Sequence, residues 1–342
     1  MKNPQHWLML CLTLGMLIFF GCVNLLRSNS DLSISLPIDC QLGKDCFIFH
    51  YVDTNPSSEA IDFNCGRQTY NDHTGTDFGI TNLKEMEKGV KVIAVASGTV
   101  KHIQDGVIDK LIVDQTDKDE VSDRACGNGI LIDHGKGWKT EYCHLKQGSI
   151  LVSPDTKVKK GTPLGLVGSS GMASFPHVHL TIFYQNKIID PFTGKKANAG
   201  CKVAKKALWT SKIDYQSTGL INAGFAPKPP KPIEIWQGEF LEKQLSANSP
   251  ALVFWVHLYG ILQGDIESFT LINPKGKAVI QQKQTVKKSY RNWVTYVGQK
   301  NNLDNPIMSG IWQGKYQLKR NSNIIFEVNQ KVEIMSTIKN NN

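Results

Sequence analysis

The chain has 342 residues, of which 41% are hydrophobic and 20% are charged, and its net charge is +9. A chain of this length commonly folds into about two domains, and its apolar fraction can build a core, which excludes a wholly disordered protein. Only one long apolar stretch occurs in the sequence, so a polytopic membrane protein is excluded as well.

Residues 1–27 predict either a cleaved export signal or a membrane anchor. An apolar run extends from Trp7 to Leu26, and Arg27 follows it. About 20 apolar residues are long for a signal sequence and enough to cross a bilayer, so both interpretations stay open, with a lipoprotein as a third. Each of them predicts export to the periplasm or cell envelope, and an anchor would attach the protein to the inner membrane.

Residues 28–60 predict an entry segment closed by a disulfide loop. An even number of cysteines follows the N-terminal segment, which favours disulfides in an oxidising compartment. The spacing leaves the pairing open: the first two are close enough for a small loop, the fourth and fifth flank a predicted hairpin, and the other two remain. A cysteine-based zinc site is disfavoured because no C-x-x-C pair occurs. The six candidates are Cys40, Cys46, Cys65, Cys126, Cys143 and Cys201.

Residues 61–209 predict a mostly antiparallel β-domain. Short runs rich in β-branched and aromatic residues alternate with glycine-containing turns, and no amphipathic helical stretch of comparable length competes with them. The predicted strands lie within 90–100, 108–113, 129–133, 138–145, 164–167, 178–184 and 188–189.

Residues 210–232 predict a linker that ends in a stiff, proline-rich stretch. The regular short strands that follow, in residues 233–342, predict a small β-sandwich-like domain. This domain has no recognisable chemical motif, and its histidine, His257, is predicted to be structural. Its predicted strands are 251–259, 268–272, 277–281, 293–298, 314–320 and 324–328.

The C-terminal part of the chain is strongly basic, since residues 210–342 hold 16 basic and 9 acidic residues. Two interpretations stay open: this domain contacts an anionic polymer or another protein, or its lysines are simply solvated on a sheet surface. Nucleic acid is not expected as a partner, because the predicted export signal would separate the protein from it.

Three short motifs place metal-binding and proton-transferring side chains in the predicted β-domain. His73 and Asp77 are four residues apart, and residues i and i+4 of an extended chain point to the same side. His177 and His179 are two apart on a predicted strand, so both imidazoles can point into one groove, and His144 ends the predicted hairpin. A catalytic zinc ion needs three protein ligands and an open position for water, whose pKa it lowers. The remaining imidazoles can take or give protons near neutral pH.

Taken together, these segments resemble the lysostaphin/LytM-type zinc endopeptidases of bacterial cell walls, peptidase family M23. The resemblance implies an M23-like antiparallel β-domain with an open groove, and it implies cleavage of peptide bonds in peptidoglycan. It covers residues 61–193 and rests on 73–77, 127–145 and 169–180, with support from 161–165 and 190–192.

The resemblance also implies roles for single residues. His73, Asp77 and His179 would hold one Zn²⁺ ion per chain. His144 and His177 would orient a metal-activated water, transfer protons or stabilise the oxyanion. Peptidoglycan is the implied partner of this site.

The sequence departs from the family pattern at two points. Residues 64–67 only approximate the Phe-Gly-x-Arg stretch that often precedes the first histidine, and cysteines lie next to the active-site segments. We interpret these cysteines as disulfides that hold the groove walls. His50 and His102 have no acidic partner at ligand spacing and are predicted to be structural, and His134 is predicted to lie in a turn.

Two alternative functions stay open. A non-catalytic or autoinhibited wall-binding or regulatory protein could share the fold, although all five site positions are filled here. A secreted bacteriolytic enzyme or a protein-directed metalloprotease could use the same site. No residue determines which bond is cleaved, but a D-Ala–diaminopimelate cross-link suits a Gram-negative wall better than a glycine bridge does.

Overall fold

The computed structural model describes residues 32–336, which form two β-rich parts. The segment predicted to be an export signal or anchor lies outside these residues. Within residues 32–336, no helix is long and apolar enough to cross a membrane.

The N-terminal part is built on a nine-stranded antiparallel sheet and a separate two-stranded sheet. Its strands are β1 (Cys46–His50), β2 (Thr76–Ile80), β3 (Lys91–Ile93), β4 (Gly98–Gln104), β5 (Asn128–Gly135), β6 (Trp138–Leu145), β7 (Lys157–Val158), β8 (Pro163–Leu166), β9 (His177–Tyr184), β10 (Lys187–Asp190) and β11 (Lys195–Lys196). The large sheet has the order β1-β2-β9-β6-β5-β4-β7, with β10 beside β9 and β11 beside β10, while β3 pairs with β8. The predicted antiparallel β-domain is confirmed.

Strands β2 and β9 are the second and third strands of this path, and their two faces differ in polarity. Their alternate residues Phe78, Val178 and Leu180 join the main hydrophobic cluster. Because successive side chains of a strand point to opposite faces, the intervening residues Asp77 and His179 face the other way. Burial of the apolar face therefore fixes the direction of the polar side chains.

Helices in the described range are short: α1 (Leu83–Lys88), α2 (Gln115–Glu120) and α3 (Pro232–Trp236). The side chain of Asn82 caps α1 by accepting a hydrogen bond from the Glu85 amide at 3.0 Å.

The predicted strand at 108–113 is wrong, because this segment forms only an isolated bridge at Asp109. Ile108 and Val113 are exposed, and only Leu111 of the segment is buried, so the alternating burial that holds a strand in a sheet is absent from residues 108–113.

The C-terminal part is a two-sheet sandwich. Its strands are β12 (Gly219–Ala226), β13 (Gln244–Ser246), β14 (Ala251–Ile261), β15 (Ile266–Ile272), β16 (Ala278–Thr285), β17 (Tyr290–Lys300), β18 (Gly310–Arg320) and β19 (Asn323–Met335). One sheet has the order β12-β14-β17, and the other has the order β13-β19-β18-β15-β16. Phe254 of the first sheet and Phe269 of the second share one core, with ring centroids 6.0 Å apart. The predicted β-sandwich-like domain is confirmed.

Strand β12 lies inside residues 210–232, where the sequence predicts a linker. It pairs antiparallel with β14, with Phe225 opposite Phe254. Every residue of β14 after the first is buried. Its backbone N–H and C=O groups therefore need hydrogen-bond partners on both edges, and the neighbouring strands β12 and β17 provide them. The C-terminal sheet therefore begins at Gly219, before the predicted boundary at residue 233.

The entry segment is continuous with the N-terminal sheet, because β1 pairs along its length with β2. Within the described part of the chain, disulfides join Cys40 to Cys46, Cys65 to Cys201, and Cys126 to Cys143. The first closes a loop in the entry segment, and the last links the start of β5 to the end of β6.

A shared aromatic cluster joins the two parts. The ring of Tyr259 stacks on Phe47 at a centroid distance of 5.7 Å, and Trp236 stacks on Phe175 at 5.4 Å. Burial of such large rings is a strong stabilising contribution, so the sandwich is held beside β1 and the segment before β9. The cluster consists of Phe47, Phe49, Leu111, Phe175, Ile221, Trp236 and Tyr259.

Candidate active site

Two adjacent strands bring Asp77 and His179 together. Asp77 lies directly opposite His179 in the antiparallel pairing of β2 with β9, and side chains at paired positions are neighbours on one face. The His179 Nδ1 atom is 2.8 Å from the Asp77 Oδ1 atom. Both residues are buried.

His73 completes a group of three donors from the loop before β2. Its Nδ1–H donates to the Tyr51 carbonyl oxygen at 2.7 Å, which leaves Nε2 without a proton in the neutral ring. That Nε2 atom lies 3.1 Å from Asp77 Oδ1 and 3.2 Å from His179 Nδ1. The predicted residues His73, Asp77 and His179 are therefore brought to one point.

The chemistry of these donors fits a bound cation. Two imidazole nitrogens and one carboxylate oxygen are donor types that zinc takes, in the number that a catalytic zinc site uses. The outer nitrogen of His179 lies 3.0 Å from the Thr181 hydroxyl, and the outer nitrogen of His73 is fixed by Tyr51. Metal-bound histidines are usually oriented by such hydrogen bonds. Without a cation, the lone pairs of His73 Nε2 and His179 Nδ1 would face each other and the negatively charged Asp77 carboxylate.

Asp77 is the anionic centre of the site. Burial opposes its ionisation, but the interaction with His73 and the hydrogen bonds with His179 and His50 hold its pKa well below the usual value. The carboxylate therefore stays charged at neutral pH and can balance a cation. A second group, Cys40, Asp45 and Cys46, offers no thiolate ligand because its cysteines form a disulfide.

Two further imidazoles lie beside the three donors. The rings of His144 and His177 are 4.6 Å apart, and the His177 Nε2 atom is 3.6 Å from Asp77 Oδ1. Each ring donates its Nδ1–H to a backbone carbonyl at 2.8 Å, that of Ser170 for His144 and that of Phe175 for His177. Both rings therefore present an unprotonated Nε2.

Burial keeps these two imidazoles neutral. It lowers the pKa of His177 to about 4, and burial together with neighbouring imidazoles holds the pKa of His144 well below its usual value. His144 also adopts a φ of 63°, a left-handed conformation that is uncommon outside glycine. Its amide donates to the Cys126 carbonyl at 2.8 Å, so the neighbouring loop helps to hold it there.

His50, which the sequence predicts to be structural, contacts the site. His50 ends β1 opposite Asp77, and its Nδ1–H donates to Asp77 Oδ2 at 2.9 Å. The bond holds the carboxylate so that Oδ1 faces His73 and His179. No spacing in the sequence reveals this contact, because it forms across two strands that lie 27 residues apart.

We expect His50→Ala to weaken zinc binding by about tenfold or more, because hydrogen bonds that orient a metal ligand contribute this much. Competition with a chromophoric chelator measures the affinity. In His50→Asn, the side-chain amide can still donate to Asp77, so this variant should recover part of the affinity. Equal zinc affinities of the wild type and His50→Ala would contradict the prediction that the hydrogen bond from His50 orients the Asp77 carboxylate for metal binding.

The disulfide between Cys126 and Cys143 lies next to His144, and we expect its removal to disturb the site. The double variant Cys126→Ser/Cys143→Ser should lower the peptidase activity that the family resemblance implies by about tenfold, because a small misplacement of a catalytic group is costly. Rates are compared at a fixed zinc concentration. Cys40→Ser/Cys46→Ser is the matched control, and equal activity of the two double variants would contradict the prediction.

The other predicted histidines lie away from this group. The His134 Nδ1–H donates to the Ser97 carbonyl oxygen at 2.8 Å, and its Nε2 atom lies 2.8 Å from the Thr140 hydroxyl. His102 is exposed on β4. His257 is buried in the sandwich, with its Nε2 atom 2.6 Å from Asn292 Oδ1.

Comparison with known proteins supports the family resemblance over part of the chain. Residues 71–191 match the model of peptidase family M23. A Haemophilus influenzae protein named "uncharacterized metalloprotease" is 30% identical over 125 residues, which are 36% of this chain and 21% of that protein. Peptidoglycan DD-endopeptidase ShyA of Vibrio cholerae is 36% identical over 72 residues, which are 21% of this chain and 16% of that protein.

The chain thus spans about a fifth of the length of these curated relatives. Among solved structures, the catalytic domain of lysostaphin from Staphylococcus simulans aligns with a TM-score of 0.28 and 22% identity, over 42% of this chain and 86% of that one. Over residues 71–191 the chain therefore matches peptidase family M23, and the resemblance predicted from its motifs is confirmed.

Proposed function

We propose that the protein is a zinc-dependent endopeptidase that hydrolyses peptide cross-links of bacterial peptidoglycan. The convergence of His73, Asp77 and His179, with their donor atoms within 3.2 Å of one another, carries this proposal. The neutral imidazoles of His144 and His177 beside them supply the groups that proton transfer needs.

His73, Asp77 and His179 would hold the zinc ion. When bound there, zinc would polarise the scissile carbonyl group and activate a water molecule. The Asp77 carboxylate offsets part of the positive charge, and the hydrogen bonds from His73 to Tyr51 and from His50 to Asp77 keep the ligands in place.

His144 and His177 would handle the protons of the reaction. Because each Nδ1–H is held by a backbone carbonyl, the free Nε2 is the atom that takes a proton and later delivers it to the leaving amine. Once protonated, the same nitrogen is a donor that stabilises negative charge on the carbonyl oxygen. Fixed ring orientations favour both steps.

The substrate class follows from the relatives. ShyA is named a peptidoglycan DD-endopeptidase, and ShyB carries the same description, so a peptide cross-link of the wall is the substrate that we propose here. A non-catalytic wall-binding protein is disfavoured, because all five side chains that the reaction needs are present and close together.

We further propose that the protein acts in the cell envelope. The apolar N-terminal segment of the sequence and the three disulfides among the described residues suit an exported protein. The curated relatives include peptidoglycan endopeptidases, whose substrate lies outside the cytoplasm.

Digestion of isolated peptidoglycan tests the proposal. The purified, zinc-loaded protein is incubated with peptidoglycan, and the products are identified by mass spectrometry. Cross-linked fragments should convert to monomers, and the masses would name the bond that is cleaved. Absence of conversion by a protein that holds one zinc ion per chain would contradict the enzyme proposal and favour a binding role.

A further inference from the structure

Two arginines meet where the sandwich touches the N-terminal domain. Arg67 lies in the loop between β1 and β2, and Arg291 is the second residue of β17. The Arg291 Nε–H donates to the Arg67 carbonyl oxygen at 3.0 Å. The Arg291 side chain therefore lies against the backbone of Arg67, where the two parts of the protein meet.

Neither arginine is neutralised within residues 32–336, where no carboxylate forms an ion pair with Arg67 or Arg291. Arg67 is exposed and Arg291 is half-buried. Burial and the positive charge of Arg67 lower the pKa of Arg291. The two positive charges are close enough to repel each other, so an anion that binds both guanidinium groups would relieve this repulsion.

The arginine pair lies beside the candidate active site. Gln68, next to Arg67, donates from Nε2 to the Phe49 carbonyl oxygen at 2.6 Å, and Phe49 precedes His50. Farther along the same loop, the half-exposed ring of Tyr70 lies 4.4 Å from the His73 ring and 5.1 Å from the His50 ring. The loop therefore connects Arg67 to the proposed metal ligand His73, which lies six residues farther along the chain.

Packing between the two parts holds Arg291 in position. Asn292, the next residue, pairs with Tyr259 of β14, and the Tyr259 ring stacks on Phe47 of β1. Strand β17 is therefore fixed to β14, and β14 is fixed by aromatic contacts to the strand that ends at His50. A preorganised cation loses less entropy on binding than one on a mobile loop does.

We infer that Arg67 and Arg291 bind a carboxylate of the peptide substrate, so that the C-terminal sandwich completes the substrate groove. The planar guanidinium group binds a carboxylate through two parallel hydrogen bonds, and wall peptides that contain diaminopimelate carry free carboxylates. The inference rests on the proposed endopeptidase function, and it gives the sandwich a role in selecting acidic peptides.

Cleavage of two matched substrates tests the inference. One is a cross-linked muropeptide with free carboxylates, and the other is the same muropeptide after amidation. For the acidic substrate, Arg291→Gln and Arg67→Gln should each raise KM by about tenfold, because a charge-assisted hydrogen bond is lost. The kcat should stay within about twofold, because the contact is equal in ground state and transition state.

Amidation of the muropeptide should raise the KM of the wild type by a similar factor. With the amidated muropeptide, Arg291→Gln should then cause no further increase in KM. Arg291→Lys should recover only part of the affinity, because an ammonium group cannot reproduce the planar fork. Lys331→Gln, an exposed residue of the other sheet, is the charge-matched control and should leave KM unchanged. Thermal unfolding checks that each variant is folded.

Binding measured without cleavage separates this inference from the proposed function. Calorimetry on the His144→Ala variant gives the Kd of the acidic muropeptide, and adding Arg291→Gln should weaken it by about tenfold. An unchanged Kd, or equal effects of Arg291→Gln and Lys331→Gln, would overturn the arginine site. A wild type that binds the acidic muropeptide through the arginines but leaves it intact would overturn only the endopeptidase proposal.

Discussion

Replacement of His179 by alanine is expected to remove both the bound zinc and the peptidase activity. His179 Nδ1 is the donor closest to Asp77 Oδ1, at 2.8 Å, and only two ligands would remain. Loss of the metal removes several kcal/mol of transition-state stabilisation, which corresponds to about a thousandfold or more in kcat/KM. Elemental mass spectrometry gives the zinc content, and release of muropeptide monomers gives the activity.

The matched control is His102→Ala, which removes an exposed imidazole of β4. It should retain one zinc ion per chain and full activity. Zinc retained in His179→Ala, together with activity above a tenth of the wild-type value, would show that the ligand set is different from the one proposed.

His144→Ala is expected to separate catalysis from metal binding. His144 lies beside His177 but contributes no atom to the group formed by His73, Asp77 and His179, so the zinc content should stay at one per chain. Loss of a positioned acid or base should lower kcat by about a hundredfold to ten-thousandfold. Rates with a purified muropeptide at saturating concentration give kcat directly.

The same measurement on His177→Ala provides a comparison. Its ring stacks on Phe175 at 4.2 Å and donates to the Phe175 carbonyl, so both imidazoles depend on backbone contacts for orientation. Near-normal kcat in His144→Ala, or loss of zinc from it, would contradict the assignment of His144 to proton transfer.

The shared polar face of Asp77 and His179 could be predicted because strands impose a period of two, whereas the role of His73, Asp77 and His179 as metal ligands was implied by the family resemblance and stays a proposal. His177-Val178-His179 and the Asp77-Phe78 pair place polar residues on one face and core residues on the other, and the core fixes which face is which. What the sequence could not reveal was that β1 lies beside β2. His50 therefore had no visible partner, although its hydrogen bond to Asp77 is as short as those among the ligands.

The position of the sandwich was also beyond sequence reasoning. Trp236 and Tyr259 look like core residues of their own domain, yet they pack on Phe175 and Phe47 of the other part. Strand β12 was hidden for a related reason, because glycine and asparagine weaken its strand pattern and its stability comes from pairing with the buried β14. Both features depend on partners that are distant in the sequence.

Reconstitution with zinc tests the central claim most directly. The metal-free protein is titrated with zinc, and bound metal and cleavage of cross-linked muropeptides are measured in the same samples. We predict that activity rises in proportion to bound zinc and reaches its maximum at one ion per chain. Full activity of the metal-free protein, or no cleavage after one ion has bound, would contradict the account of His73, Asp77 and His179 as the centre of a peptidoglycan endopeptidase.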